Sequence, residues 1–222
     1  MPAQDQGELF DLVDREGRPL GLTKPRREVH RDGDWHRSLH IWIWGVVGGA
    51  PHLVFQRRSA GKDTHPRAID IAVTGHLGAG ESAEDALREA EEEIGLRLGP
   101  GDLLFLGRRR RMDRSKPGLL DNELQDIFFA AAPADLLALQ PSPAELEAIL
   151  AVPLDLAERV FQGDTVSARR LVPAGAGGPA AFVGESLSRQ DFVPASDGYY
   201  EAALRSVSAR LRGERPEPWE IG

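Results

Sequence analysis

The chain has no cysteine among its 222 residues. That absence excludes a disulfide framework, a thiolate zinc site and a cysteine nucleophile. There is also no apolar run long enough to cross a bilayer and no basic, apolar leader at the N-terminus, so the expectation is a soluble cytoplasmic protein with no membrane partner. Basic residues are not in excess: the formal charge is −8, which disfavours nucleic acid as a partner. No internal repeat is visible, and the length suits one domain with extensions. The few aromatic clusters read as packing. Trp42 and Trp44 share a strand face near Trp35, and Tyr199 and Tyr200 open a terminal helix, so no base-stacking platform is legible.

What is present is concentrated in residues 75–96, GHLGAGESAEDALREAEEEIGL. A glycine loop leads into a segment crowded with glutamates, among them Glu81, Glu84, Glu89, Glu92 and Glu93. From Ser82 the spacing predicts a helix, with Ala83, Ala86, Leu87, Ala90 and Ile94 on its apolar face. Ser82 with Asp85 resembles a capping box, and Gly95 suits the helix end. Glu89, Glu92 and Glu93 fall at i, i+3 and i+4 and share one face. Three like charges there repel in water, whereas a hard divalent cation such as Mg²⁺ or Mn²⁺ takes oxygen ligands and reverses the balance.

Around this segment the pattern alternates strands and helices. Phe10–Val13 and Pro19–Thr23 read as a hairpin, and His40–Val47 with Leu53–Arg57 as two strands about a Gly-Gly-Ala-Pro turn. Ile69–Val73, Leu103–Arg108 and Leu124–Ala131 read as further strands; Leu146–Val152 fits either helix or strand. Leu154–Gln162 and Ser196–Leu211 read as helices, residues 173–180 as a flexible low-complexity loop, and Arg215–Trp219 as a loosely held end unless Trp219 docks. The run Arg108–Arg111 reads either as an anion-binding flap beside the site or as a solvated strand end or partner contact. The whole suggests a mixed α/β sandwich.

Residues 75–96 resemble the signature box of the Nudix hydrolases, G-x5-E-x7-R-E-U-x-E-E-x-G-U with U aliphatic. Gly75, Glu81, Arg88, Glu89, Ala90, Glu92, Glu93, Gly95 and Leu96 match it. Six residues rather than seven separate Glu81 from Arg88, a shortening that would turn a helix face by about 100° and that leaves the placement of Glu81 open. The resemblance implies a Nudix α/β/α sandwich with a mixed central sheet, an N-terminal hairpin and a C-terminal helical extension. The corresponding boundaries are an N-terminal extension 1–35, a core 36–165 and a C-terminal extension 166–222. It also implies a possible homodimer.

Other segments resemble the isopentenyl-diphosphate isomerase branch of that superfamily: LVDREGRPLG, REVHRDGDWHRSLHIWIW, QRRSAGKDTHP and TGH, in that order. The isomerases' metal ligands fall on His30, His36, His76, Asp121 and Glu123; the alternative for His30 and His36 is a hydrogen-bonding role at a strand edge. The isomerases' essential cysteine falls on Thr74, while Arg88, Glu89, Glu92 and Glu93 remain intact. The resemblance therefore implies a metal-dependent hydrolase, with Mg²⁺ or Mn²⁺, that cleaves the diphosphate linkage of a nucleoside diphosphate derivative or a prenyl diphosphate by water attack on phosphorus. Glu89, Glu92, Glu93, Glu123 and His76 would hold metal, with His30, His36 and Asp121 a second set. Glu93, Glu89 or Glu123 would act as base and Arg88 would orient carboxylates. Arg57, Arg58 and Lys62 would face phosphate, against the alternative of solvated surface charge. An isomerase, disfavoured without cysteine, and a non-catalytic binding module are the competing readings.

Overall fold

A computed structural model describes residues 7–62, 64–174 and 178–222. Residues 175–177, the centre of the low-complexity loop, lie outside them. In chain order the elements are β1 (Leu9–Val13), β2 (Pro19–Pro25), α1 (Arg26–Asp32), β3 (Trp35–Val47), β4 (Ala50–Arg58), β5 (Ile69–Ile71), β6 (Val73–His76), α2 (Arg88–Ile94), β7 (Leu103–Asp113), β8 (Asp121–Ala130), β9 (Leu146–Pro153), α3 (Leu154–Phe161), β10 (Val166–Val172), β11 (Ala181–Leu187), α4 (Tyr199–Leu211) and β12 (Trp219–Ile221). Among the described residues no helix is long and apolar enough to cross a membrane.

The strands form one mixed sheet in the order β11-β10-β9-β4-β3-β8-β7-β12. The long strand β3 organises it. Its first half pairs antiparallel with β6, its second half antiparallel with β4, and its other edge runs parallel to β8. Period-two alternation then sorts β3 onto two faces. Leu39, Ile41 and Ile43 join Ala86, Ala90 and Ile94 in the core beneath α2. Trp42, on the opposite face, packs with Phe55, Phe129, Tyr199 and Tyr200 beneath α3 and α4. Helices thus cover both faces of the sheet, as an α/β/α sandwich requires.

Several local expectations need correction. The box segment is α-helical only from Arg88; Asp85–Leu87 form a 3₁₀ turn. The capping pair is real, with Ser82 N–H donating to Asp85 Oδ2 at 2.9 Å and Asp85 N–H to Ser82 Oγ at 3.2 Å. The tighter 3₁₀ winding of these three residues, about 120° per residue against about 100° in an α-helix, recovers part of the turn that the missing residue removes. Ile69–Val73 is two strands, because the chain leaves β4 at Ile71 and joins β3 at Val73. The ambiguous 146–152 run is a strand. The arginine run is not a free strand end: it alternates along β7, each arginine has an acceptor, and Arg111 faces a cavity of the candidate site. The terminus docks as β12 beside β7, and Trp219 Nε1–H donates to Ser206 Oγ at 3.1 Å. Gly107 is required there, since a Cβ would run into Trp219.

Candidate active site

The register of three strands builds the site. On the α4 face of the sheet, His36 lies beside Glu123 and Glu123 beside Arg111. In the next row come His76, Ser38, Gln125 and Arg109, and in the next Thr74, His40, Ile127 and Gly107. The same face is therefore polar at one end and becomes aromatic core at Trp42 and Phe129.

At the polar end α1 adds His30, and its turn closes on Gly33 in the left-handed region (φ 75°). One ligand atom each of His30, His36, His76 and Asp121 lies within 4.8 Å of the others. The Nε2 atoms of His30 and His36 and Oδ1 of Asp121 are buried and find no hydrogen-bond partner, while His76 Nε2 faces Glu123 Oε1. Phe10, fully buried, stacks on His36 and on His76 with ring centroids 5.0 Å away in each case, so the N-terminal hairpin floors the nest with hydrocarbon. Burial holds the His30 imidazole down at about 3, with the Arg26 charge adding to it, and lowers His36 and His76 in the same direction. Neutral imidazoles and carboxylates are the ligand forms of these groups, so the donor set fits a divalent cation.

The tautomers differ between the rings. His36 Nδ1 lies 3.3 Å from the Asp34 carbonyl, which only accepts, so Nδ1 carries the proton and Nε2 keeps its lone pair. His76 Nδ1 lies 3.0 Å from Arg26 Nη1, which only donates, so its proton sits on Nε2, 3.0 Å from Glu123 Oε1. Burial pushes both carboxyls up. The Asp121 group, beside the Glu123 charge, is raised to about 8, while His76 and Arg111 draw Glu123 back below the carboxylate range.

The second centre is on α2. Gly75 of β6 faces Glu89 so closely that a Cβ would stand 2.6 Å from Glu89 Cγ, which explains the glycine at the head of the segment. Arg88 bridges Glu89 at 2.6 Å and Glu81 at 3.1 Å. Glu81 Oε2 in turn accepts the Gly78 N–H at 2.7 Å. Glu81 thus clamps the loop and aims Arg88. Glu93 is 2 % exposed, 3.4 Å from Gln56 Nε2 and 3.9 Å from Lys62 Nζ. Burial raises Glu93 to about 8 and Glu89 to about 7. Glu92 is exposed.

Two cavities meet here. A narrower one of about 60 Å³ is lined by Ser38, His40, Arg58, His65, Arg111 and Glu123 among others. A wider one of about 360 Å³ holds Glu89, Glu92, Glu93 and Glu145. Arg26, Lys62, Thr74, Gly75 and His76 line both. The structure therefore gathers His30, His36, His76, Asp121 and Glu123 in one centre and Glu89, Glu92 and Glu93 in the other, with Arg58 and Lys62 on the walls. It does not bring Arg57 in. That guanidinium pairs with Glu185 at 2.5 Å, and Arg57 lines neither cavity, because β4 alternation turns it away from Arg58. Sequence reasoning passed over Phe10, Arg26, Ser38, His40, His65 and Glu145. The period-two run His36, Ser38, His40 was the available signal for two of them.

Comparison with known proteins agrees with this geometry. The model of the NUDIX domain matches residues 35–174. An uncharacterised Nudix hydrolase of Clostridium acetobutylicum is 31 % identical over 202 residues, spanning 90 % of this chain and 97 % of that one. Nudix hydrolase 3 of Arabidopsis thaliana is 37 % identical over 156 residues, 67 % of this chain but 19 % of that much longer one. An isopentenyl-diphosphate Delta-isomerase of Shigella flexneri is 28 % identical over 126 residues, 56 % of this chain and 67 % of its own. Among solved structures, the Deinococcus radiodurans protein DR0079 superposes with a TM-score of 0.52 at 20 % identity, covering 71 % of this chain and 91 % of that one, a likeness of fold. The chain belongs to the Nudix family, whose hydrolases cleave pyrophosphate-containing substrates and generally use divalent metals.

Proposed function

We propose that the protein hydrolyses a diphosphate linkage, in a nucleoside diphosphate derivative or a prenyl diphosphate, by attack of water on phosphorus with Mg²⁺ or Mn²⁺ as cofactor. The observation that carries the reading is the convergence of Glu89, Glu92 and Glu93 on a cavity whose far wall is cationic. These three glutamates would hold the cation, and His30, His36, Asp121 and Glu123 a second one. A cation held there neutralises diphosphate charge and acidifies a bound water.

The chain's own residues do the rest. Arg88 fixes Glu89 through its 2.6 Å contact. Lys62 and Gln56 hold Glu93 in place. Arg26, Arg58 and Lys62 offer positive charge to phosphate oxygens across the shared wall. Burial raises Glu93 and Glu89 to about 8 and about 7 without metal, and a bound cation would drive both to the ionised ligand form. Glu123, held ionised by His76 and Arg111, suits a charge ligand better than a base.

The isomerase reading is favoured by the histidine nest and opposed by the wall residue Thr74, since no thiol is present to protonate a double bond. The test is release of phosphate or nucleotide from nucleoside di- and triphosphates, nucleotide sugars, dinucleoside polyphosphates and prenyl diphosphates, with Mg²⁺, Mn²⁺ or EDTA. Metal-dependent release that collapses in Glu92→Gln and Glu93→Gln supports hydrolysis. Full turnover in both variants removes the assignment, and allylic rearrangement of a prenyl diphosphate would install the isomerase.

A further inference from the structure

The narrower cavity is unlike the wider one, and its chemistry points to one end of the substrate. Among the described residues, Val193 is the sole aliphatic side chain on its wall, and no phenyl, phenol or indole ring lines it. At about 60 Å³ it has room for roughly four water-sized atoms. Arg58 and Arg111 face it, each held in place: Arg58 by Asp70 at 3.3 Å and by Thr64, Arg111 by Asp113 at 2.7 Å. Ser38 is 2 % exposed, and its Oγ is buried on this wall with no hydrogen-bond partner. A buried hydroxyl left unpaired costs free energy that a ligand oxygen would recover.

His65 stands on the same wall, on backbone that is not relaxed. His65 (φ 44°) and Arg67 (φ 64°) are the non-glycine residues of the described chain in the left-handed region, and they flank Pro66. Such conformations cost of order 1–3 kcal/mol each and persist where the surroundings enforce them. Here His65 Nε2 lies 2.9 Å from Asp113 Oδ2 and 3.3 Å from Arg111 Nη2, which leaves Nδ1 as the ring's other polar atom. Nδ1 is a polar atom that can hydrogen-bond a phosphate oxygen.

We propose that the narrower cavity seats the unsubstituted terminal phosphoryl group of the substrate, bound by Ser38, Arg58, His65 and Arg111, with the organic group directed out through the glutamate cavity. The inference rests on the diphosphate-hydrolase reading and adds a substrate class to it: compounds with a free terminal phosphate, such as nucleoside diphosphates or prenyl diphosphates. Compounds capped at both ends, such as nucleotide sugars and dinucleoside polyphosphates, are disfavoured because a second organic group has no apolar or stacking surface inside.

The first arm titrates inorganic phosphate into the whole protein by calorimetry, with Mn²⁺ and with EDTA. Wild type binds it, and Ser38→Val and His65→Ala each weaken binding by about tenfold or more, the scale of one hydrogen bond to a charged group, with thermal melting near that of wild type. Ser38→Ala, which removes only the hydroxyl, replaces Ser38→Val if the larger side chain prevents folding. The second arm compares kcat/KM for free-ended and doubly capped diphosphates, and the free-ended class leads. Phosphate binding indifferent to both positions, or a preference for doubly capped substrates, overturns the proposal while leaving a hydrolase. Phosphate binding that depends on Ser38 and His65 without turnover of any diphosphate supports the site and sinks the hydrolase reading instead.

Discussion

The histidine nest and the glutamate helix share a wall at Gly75 and His76, yet they meet water differently. The nest is floored by Phe10 and mixes imidazoles with carboxylates. The helix presents oxygens alone, from fully buried Glu93 to exposed Glu92. Mixed nitrogen and oxygen donors suit Mn²⁺ or a later transition metal, whereas an all-oxygen face that keeps access to water suits Mg²⁺. The lesson is that two clusters a few residues apart along β6 can be tuned separately, one by what seals it and the other by what stays open.

The largest expected effect is at Glu93. Glu93→Gln should lower kcat by on the order of 10²–10³, the cost of removing one charge-stabilising group, and equal activity in wild type and variant would show that the helix centre is dispensable. Next is the floor of the nest. Phe10→Ala should destabilise the fold by about 3 kcal/mol and weaken metal binding at the histidines; an unchanged urea midpoint would mean the hairpin does not seal the site.

Proton release sharpens the comparison further. At pH 7 Glu93, raised to about 8, carries a proton, burial beside Glu123 pushes Asp121 in the same direction, and the histidines are held toward their neutral form. Metal binding must therefore expel protons from carboxylates, so affinity rises as pH rises from 6 through 8. Calorimetry in buffers of different ionisation enthalpy reads the proton count directly, and zero release would contradict the raised carboxyls. A smaller effect is expected at the far edge. Gly107→Ala should cost about 1–3 kcal/mol by driving a methyl into Trp219, measured by chemical denaturation, and kcat should hold. The smallest is Arg57→Ala. Its pair with Glu185 is part-exposed and worth about 0–1 kcal/mol, so KM should stay within about twofold, and a large rise in KM would place Arg57 on substrate after all.

Parts of the molecule were legible before folding. The helix carrying Glu89, Glu92 and Glu93, its glycine end and the Ser82–Asp85 cap follow local rules of spacing and hydrogen bonding. The hairpin β1–β2 and the strands β3 and β4 read correctly because turn residues and alternation mark them. Helix α1 did not, since RREVHRD carries no apolar stripe and is defined by Val29 burying beside Phe10 and Leu12. Strands β10 and β11 were missed as well: β11 in particular is mostly exposed, and pairing rather than periodicity defines it. The arginine run looked like a single charged patch, but strand alternation sends Arg109 onto Asp197 and Tyr199, and Arg108 onto Asp126.

By itself the sequence determined the family, the acidic helix and the residue types available to bind a cation, because those depend on identity and on spacing within one element. The tertiary structure decided which of them meet. Histidines from α1, β3 and β6 reach one point only through strand register, and Ser38 and His65 line one cavity although 27 positions separate them in the chain. Burial then set their protonation. Desolvation depends on everything packed around a group, and no local spacing rule records that.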